Sequence, residues 1–215
     1  MSIRKISFSA GIALTLFSAA APSGRADALF TDPGTHASGT VGSDAAGNSL
    51  GSEFTYAGPA GVAVTDLGLF DVGGQIWANS HEIGLWDVTA GNTLIADATV
   101  DNSGTLMNGF RYVRLPTAVP LTNGDLYILA AEFSPLPNDL AMNCCAAGEA
   151  PTNAPDFTGV VGVFFSIAGT NVLSEPFNTA GDAYIGPNLL FTPEPGTFVL
   201  LLSGLCLTAY RSSRR

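Results

Sequence analysis

Apolar and polar residues alternate along this chain in short runs, broken by glycine, proline and asparagine, with a period of two. Alternation begins at Glu53, Phe54, Thr55 and Tyr56, where the aromatics take one face and the polar residues the other. In GVAVTDLGLF (61–70), Val62 and Val64 are followed by Leu67 and Leu69. The apolar parity switches at Thr65 and Asp66, which predicts a β-bulge there. HEIGLWDVTAGNTLIADATV (81–100) predicts a hairpin with its turn at 89–92. Ile83 and Leu85 share a face on the way out. On the return, Leu94, Ala96, Ala98 and Val100 point one way, and Thr93, Asp97, Thr99 and Asp101 the other. Further strands are predicted over 109–115, over 125–133 after an Asn123-Gly124 turn, and over 160–167. The last is apolar on both parities, so it is expected at the centre of a sheet.

Two stretches carry no such pattern. Residues 31–52 are mostly Gly, Ser, Thr, Asp and Asn, which predicts a loop or a loosely attached edge. Residues 135–156 contain Pro135, Pro137, Pro151 and Pro155, a density that interrupts any ladder. A loop of that length is either functional or poorly ordered. No repeat of 20 to 50 residues points to a solenoid or propeller. The expected fold is all-β, a single antiparallel β-sandwich of jelly-roll-like form.

Charge narrows the function. Of the eight basic residues only Arg111 and Arg114 fall within 29–192, against sixteen acids. Such a surface repels phosphate backbones, so no nucleic-acid partner is expected. Spread over the body, the acids serve solubility before they serve a site. Arg111 and Arg114 are placed on one strand face, where they either pair with acids or meet an anionic glycan. An exposed Trp77 or Trp86 would favour sugar stacking, and a buried one a structural role.

Candidate catalytic and metal motifs fail in context. Gly47-Asn48-Ser49-Leu50-Gly51 matches the nucleophile elbow of esterases, but that elbow needs a strand before the serine and a helix after it. His81-Glu82 opens like a zinc-protease motif, yet Leu85 stands where the second histidine belongs. His81 is instead expected to begin a strand as a polar edge residue. The neighbours Cys144 and Cys145 admit a strained vicinal bridge, free thiols or links to another chain. Asp66 with Asp71, or Asp97 with Asp101, could meet calcium, though no loop has the spacing of a dedicated calcium site. Sixteen acids without a pattern single out no glycosidase pair. No catalytic residue, cofactor or metal is expected.

The two ends of the chain carry the specific signals. Residues 1–28 have a basic start (Arg4, Lys5), an apolar middle and a small-x-small motif at Ala26-Asp27-Ala28, the parts of a secretory signal cleaved by signal peptidase. Ser18-Ala19-Ala20 offers a second cut. At the other end, PEPGTFVLLLSGLCLTAYRSSRR runs from the triplet Pro193, Glu194, Pro195 through an apolar stretch to Arg211, Arg214 and Arg215. As a helix the stretch from 196 to 210 spans about 22 Å, short of a hydrocarbon core of about 30 Å. The arginines behind it hold that end on the cytoplasmic side.

This tail resembles that of the PEP-CTERM sorting-domain proteins of Gram-negative bacteria in its triplet, short apolar helix and basic terminus. The resemblance implies that Pro193, Glu194 and Pro195 are a processing signal for an exosortase. It further implies that the chain is held briefly at the inner membrane by a helix over 197–210 and then delivered to the cell surface or extracellular matrix, with exopolysaccharide or biofilm as its setting. Within 50–135 the blocks VTDLGLFD, SHEIGLWD, NGFRYVRL and LTNGDLYILAAEF look like a β-sandwich domain of unknown function found in bacterial surface proteins. That implies core or near-core positions for Trp86, Phe110 and Tyr127. The expected organisation is a signal peptide at 1–28, an exported domain at 29–192 and a sorting tail at 193–215. The expected role is that of a non-enzymatic surface or matrix protein, with a carbohydrate-binding or adhesive module, calcium-assisted or not, as the alternative and a hydrolase as the remote one.

Overall fold

The computed structural model of the protein describes residues 27–32, 48–71, 74, 76–77, 79–133, 143–144, 152–166, 178–179 and 184–193. Among these residues there is no α-helix, and the strands in chain order are β1 (Asp27–Ala28), β2 (Phe30–Asp32), β3 (Asn48–Tyr56), β4 (Val62–Phe70), β5 (His81–Asp87), β6 (Thr93–Val100), β7 (Thr105–Met107) and β8 (Phe110–Leu121). There follow β9 (Leu126–Phe133), β10 (Asn143–Cys144), β11 (Thr152–Asn153), β12 (Phe157–Ser166), β13 (Asn178–Thr179), β14 (Tyr184–Ile185) and β15 (Pro187–Pro193). Two antiparallel sheets carry the architecture, one ordered β1-β15-β4-β8-β7 and the other β13-β12-β3-β9-β5-β6. The short pairs β2 with β11 and β10 with β14 lie outside them.

One apolar core draws on both sheets. Leu67, Leu69, Leu189 and Phe191 enter it from the first, and Phe54, Ile83, Leu85 and Leu129 from the second. Aromatic edges join the layers. Phe157 on β12 meets Phe191 on β15 at 5.2 Å between ring centroids, and within its own sheet Phe157 meets Phe54 on β3 at 5.2 Å. Such edge-to-face pairs set positive ring edges against negative faces and fix orientation as well as area. Phe110 and Tyr127 are buried in this core, as expected. Trp86 is buried too, but with Ile128 and Ala130 on the opposite face of its sheet.

The parity switch in β4 is a register shift. Val64 pairs with Val119 but Asp66 with Arg114, so β8 carries extra residues at 115–118. Pro116 falls within that irregularity, where no ladder bond is needed, and β8 therefore runs on to Leu121, past the expected end at 115. The β5–β6 hairpin has its own bulge, pairing Leu85 with Ala96 but Trp86 with Leu94. Leu94 consequently stands half-exposed and does not share the core face of Ala96 and Val100. β12 is one place from the edge of its sheet, because β3, β9 and β5 occupy the middle.

Two segments read as loop or leader are built into the fold. β3 already begins at Asn48, and Ser49, Leu50 and Ser52 are buried between β9 and β12. Gly51 permits this, since a Cβ there would strike the Leu129 carbonyl oxygen and the Ala130 Cα. At the N-terminal side, Asp27 and Ala28 pair with Phe191 and Leu190, and Leu29 donates its N–H to the Leu189 carbonyl at 3.1 Å. The buried side chain of Asn188 then replaces a peptide. Its Oδ1 accepts from Phe30 N–H at 3.0 Å, and its Nδ2 donates to the Phe30 carbonyl at 3.0 Å and to the Tyr112 hydroxyl at 2.9 Å.

Asn188→Ala should therefore leave the Phe30 N–H and C=O buried without partners. The expected loss is about 3 kcal/mol, read as a lower urea midpoint at unchanged m-value. A midpoint equal to wild type would show that the clamp contributes nothing.

Candidate functional site

Two residues of the expected processing signals, Ala28 and Pro193, belong to neighbouring strands of the five-stranded sheet. β1 and β15 are antiparallel neighbours, with Asp27 opposite Phe191. The chain leading into Asp27 and the chain leaving Pro193 therefore depart from the same end. Pro193 is the last rung of β15, paired with Val62. Ala28, at the expected signal cleavage site, is buried within β1. Ala26, Glu194, Pro195, the 197–210 stretch and Arg211, Arg214 and Arg215 lie outside the described residues, as does Cys145. Cys144 belongs to β10, opposite Tyr184.

A polar network closes another part of the fold. Asp71, whose side chain is fully enclosed, accepts from Arg111 Nε at 2.6 Å. Arg111 also donates to the carbonyls of Asn102 at 3.1 Å and Gly104 at 3.4 Å, and its guanidinium lies 5.8 Å from the Trp77 ring centre. Asn102 clamps Trp77 as Asn188 clamps Phe30, accepting from its N–H at 2.8 Å and donating to its carbonyl at 2.9 Å. The Trp77 ring stands edge-on to His81 at 5.5 Å, and His81 packs against Phe133 at 5.7 Å. His81 Nδ1 lies 3.0 Å from the Glu132 carbonyl oxygen. His81 does begin a strand, but as a buried residue between β9 and β6 and not at an edge.

Arg111 and Arg114 do not share a face. They stand opposite Leu69 and Asp66, three positions apart on a regular stretch, and so project oppositely. Arg114 approaches Asp66 at 3.7 Å from a largely exposed position, where water screens the pair. Both arginines thus have acid partners, and Asp66 and Asp71 are those partners. Asp101 accepts from the Ser103 hydroxyl and N–H, which hold its carboxyl below the usual range. Among the described residues no three His, Cys, Asp or Glu side chains converge as metal ligands. Trp77 and Trp86 are both buried, so neither ring offers a platform to a sugar.

Ser49 lies inside β3, with strand and not helix after it. It stands opposite Glu132, which shares the outer face of the six-stranded sheet with Ala130 and Ile128. His81 points the other way, with Ile83 and Leu85, into the core. The sheet itself separates this serine from this histidine. On the outer face Glu132 is buried, its Oε1 finds no hydrogen-bond partner, and Glu82 stands nearby on β5. Burial first, and the Glu82 charge second, push the Glu132 carboxyl above its ordinary value. Its sequence signal was an acid inside the otherwise apolar run LYILAAEF. Asn188 and Asn102 gave no comparable signal, because side-chain amides at turns and strand ends are common.

Comparison with known proteins returns no match: no family model, curated protein or solved structure matches this chain. Fold and site stand on their own geometry.

The raised Glu132 value has a definite sign. Below the ordinary carboxyl value of 4.5, folded and unfolded chains both hold the proton and the residue costs nothing. As pH rises past that value the unfolded chain ionises first, and stability falls until the folded carboxyl ionises as well. Glu132→Gln should therefore be more stable than wild type near pH 7, with the gap closing toward pH 4. Thermal unfolding across that range checks it, and a gap independent of pH would contradict it.

Proposed function

We propose that this protein is an exported, non-enzymatic surface or matrix component whose two sheets form a jelly-roll-like β-sandwich and whose tail commits it to exosortase processing. The observation that carries this reading is the shared exit of both ends. β1 and β15 are antiparallel neighbours, so Asp27 and Pro193 lie toward the same end of one sheet. This supports a reading in which leader and tail both meet the membrane from that end. The expected partners are signal peptidase and an exosortase, with exopolysaccharide as the setting at the destination and not as a saturable ligand. The apolar stretch at 197–210 and Arg211, Arg214 and Arg215 supply the membrane hold.

A passive structural role fits the body better than sugar binding. Both tryptophans are enclosed, and both body arginines already face acids. Catalysis has little to stand on, because Ser49 and His81 occupy opposite faces of a sheet and Ser49 sits within a strand. Exposed apolar side chains at Ile76, Leu106 and Met107 offer ordinary surface for matrix contacts.

The test follows the tail. With an epitope tag in the body, the double variant Pro193→Ala/Pro195→Ala should remain full-length in the inner-membrane fraction, while wild type is released as a shortened chain by intact mass. Equal release of both would defeat the sorting reading. Titration of the released protein with the host exopolysaccharide, with and without EDTA, should give no saturable binding. Saturable, EDTA-sensitive binding would favour a calcium-assisted carbohydrate module.

A further inference from the structure

We propose that the leader is cut upstream of Asp27 and not after Ala28, so that Asp27 and Ala28 persist in the mature protein as the edge strand of the five-stranded sheet. The proposal rests on the export reading above. β1 pairs Asp27 with Phe191 and Ala28 with Leu190, and it covers the side of β15 that faces away from β4. The ladder continues without a break. Leu29 donates its N–H to the Leu189 carbonyl at 3.1 Å and accepts from Ala154 N–H at 2.9 Å. Phe30 is then gripped through both its N–H and its carbonyl by Asn188. Leu29 has no exposed surface, and Phe30 almost none.

Hydrolysis after Ala28, with water added across that peptide bond, would turn the Leu29 amide into an α-ammonium in a place sealed from water. The adjacent carboxylate, Asp27, would depart with the leader. An enclosed ammonium without a counter-charge is strongly disfavoured. It would have to shed its proton or pull Leu29 and Phe30 out of the core. The same cut would bare β15 at Leu190 and Phe191, leaving unpaired backbone groups on an open edge. Ser18-Ala19-Ala20 meets the small-residue requirement of signal peptidase equally well and leaves the ladder whole.

The test compares the full-length wild-type chain with Ala26→Leu, both exported from a Gram-negative host. A large side chain at that position blocks a cut after Ala28, because the peptidase needs small residues one and three places before the bond. N-terminal sequencing should read the same start, upstream of Asp27, in both proteins, with Ala21 as the expected first residue. Their intact masses should differ only by the Ala-to-Leu change. A wild-type start at Leu29, with Ala26→Leu left unprocessed, would overturn the proposal while leaving export intact. A start at Met1 in both would overturn the export reading, and this proposal with it.

Discussion

Strand β15 is the interaction on which the rest depends. It lies between β4 and the N-terminal segment, so the fold closes only when residues 187–193 meet residues 27–30 across nearly the whole domain. Its side chains also reach the other layer, through Phe191 against Phe157. Closing so long a loop has an entropic cost that is recovered only when the last strand docks. The chain made last therefore completes the core, and the tail follows it immediately.

Two asparagines solve the same problem at different places. Where the backbone cannot continue a ladder, the amide of Asn188 or Asn102 offers one acceptor and one donor in the spacing of a peptide. Each thereby satisfies a buried main-chain pair that would otherwise be orphaned. Asn102 also links Trp77 to Arg111 and Asp71, so a loop rich in irregular backbone is held by polar contacts as well as by packing. Glu132 is the opposite case, a buried acid whose free oxygen has no such provision.

How much of this was legible in the sequence depended on whether side chains or backbones decide the matter. The parity switch at Thr65 and Asp66, the hairpin from His81 to Val100 and the aromatic face of Phe54 and Tyr56 were all visible, because burial imprints period two on side chains. The start of β3 was not. Asn48 to Ser52 look like a loop by composition, yet small residues are what a close strand-to-strand approach requires. β15 was missed because its apolar core, Leu189 to Phe191, is bracketed by prolines that usually mark ends. The Leu94 and Arg114 placements went astray for one reason: a bulge or an odd spacing reverses which face a residue occupies. At the two ends the motif letters were plain, but not that Ala28 and Pro193 are themselves rungs of one sheet.

Pro193 as a final rung has a mechanical consequence. Three residues separate it from the apolar stretch that opens at 197, a reach of at most about 14 Å of fully extended chain. If that stretch enters a bilayer, as proposed, the sheet end at Pro193 stands no farther than this from the headgroups. An enzyme that cuts the proposed tether would then have to reach its bond within that short span of chain.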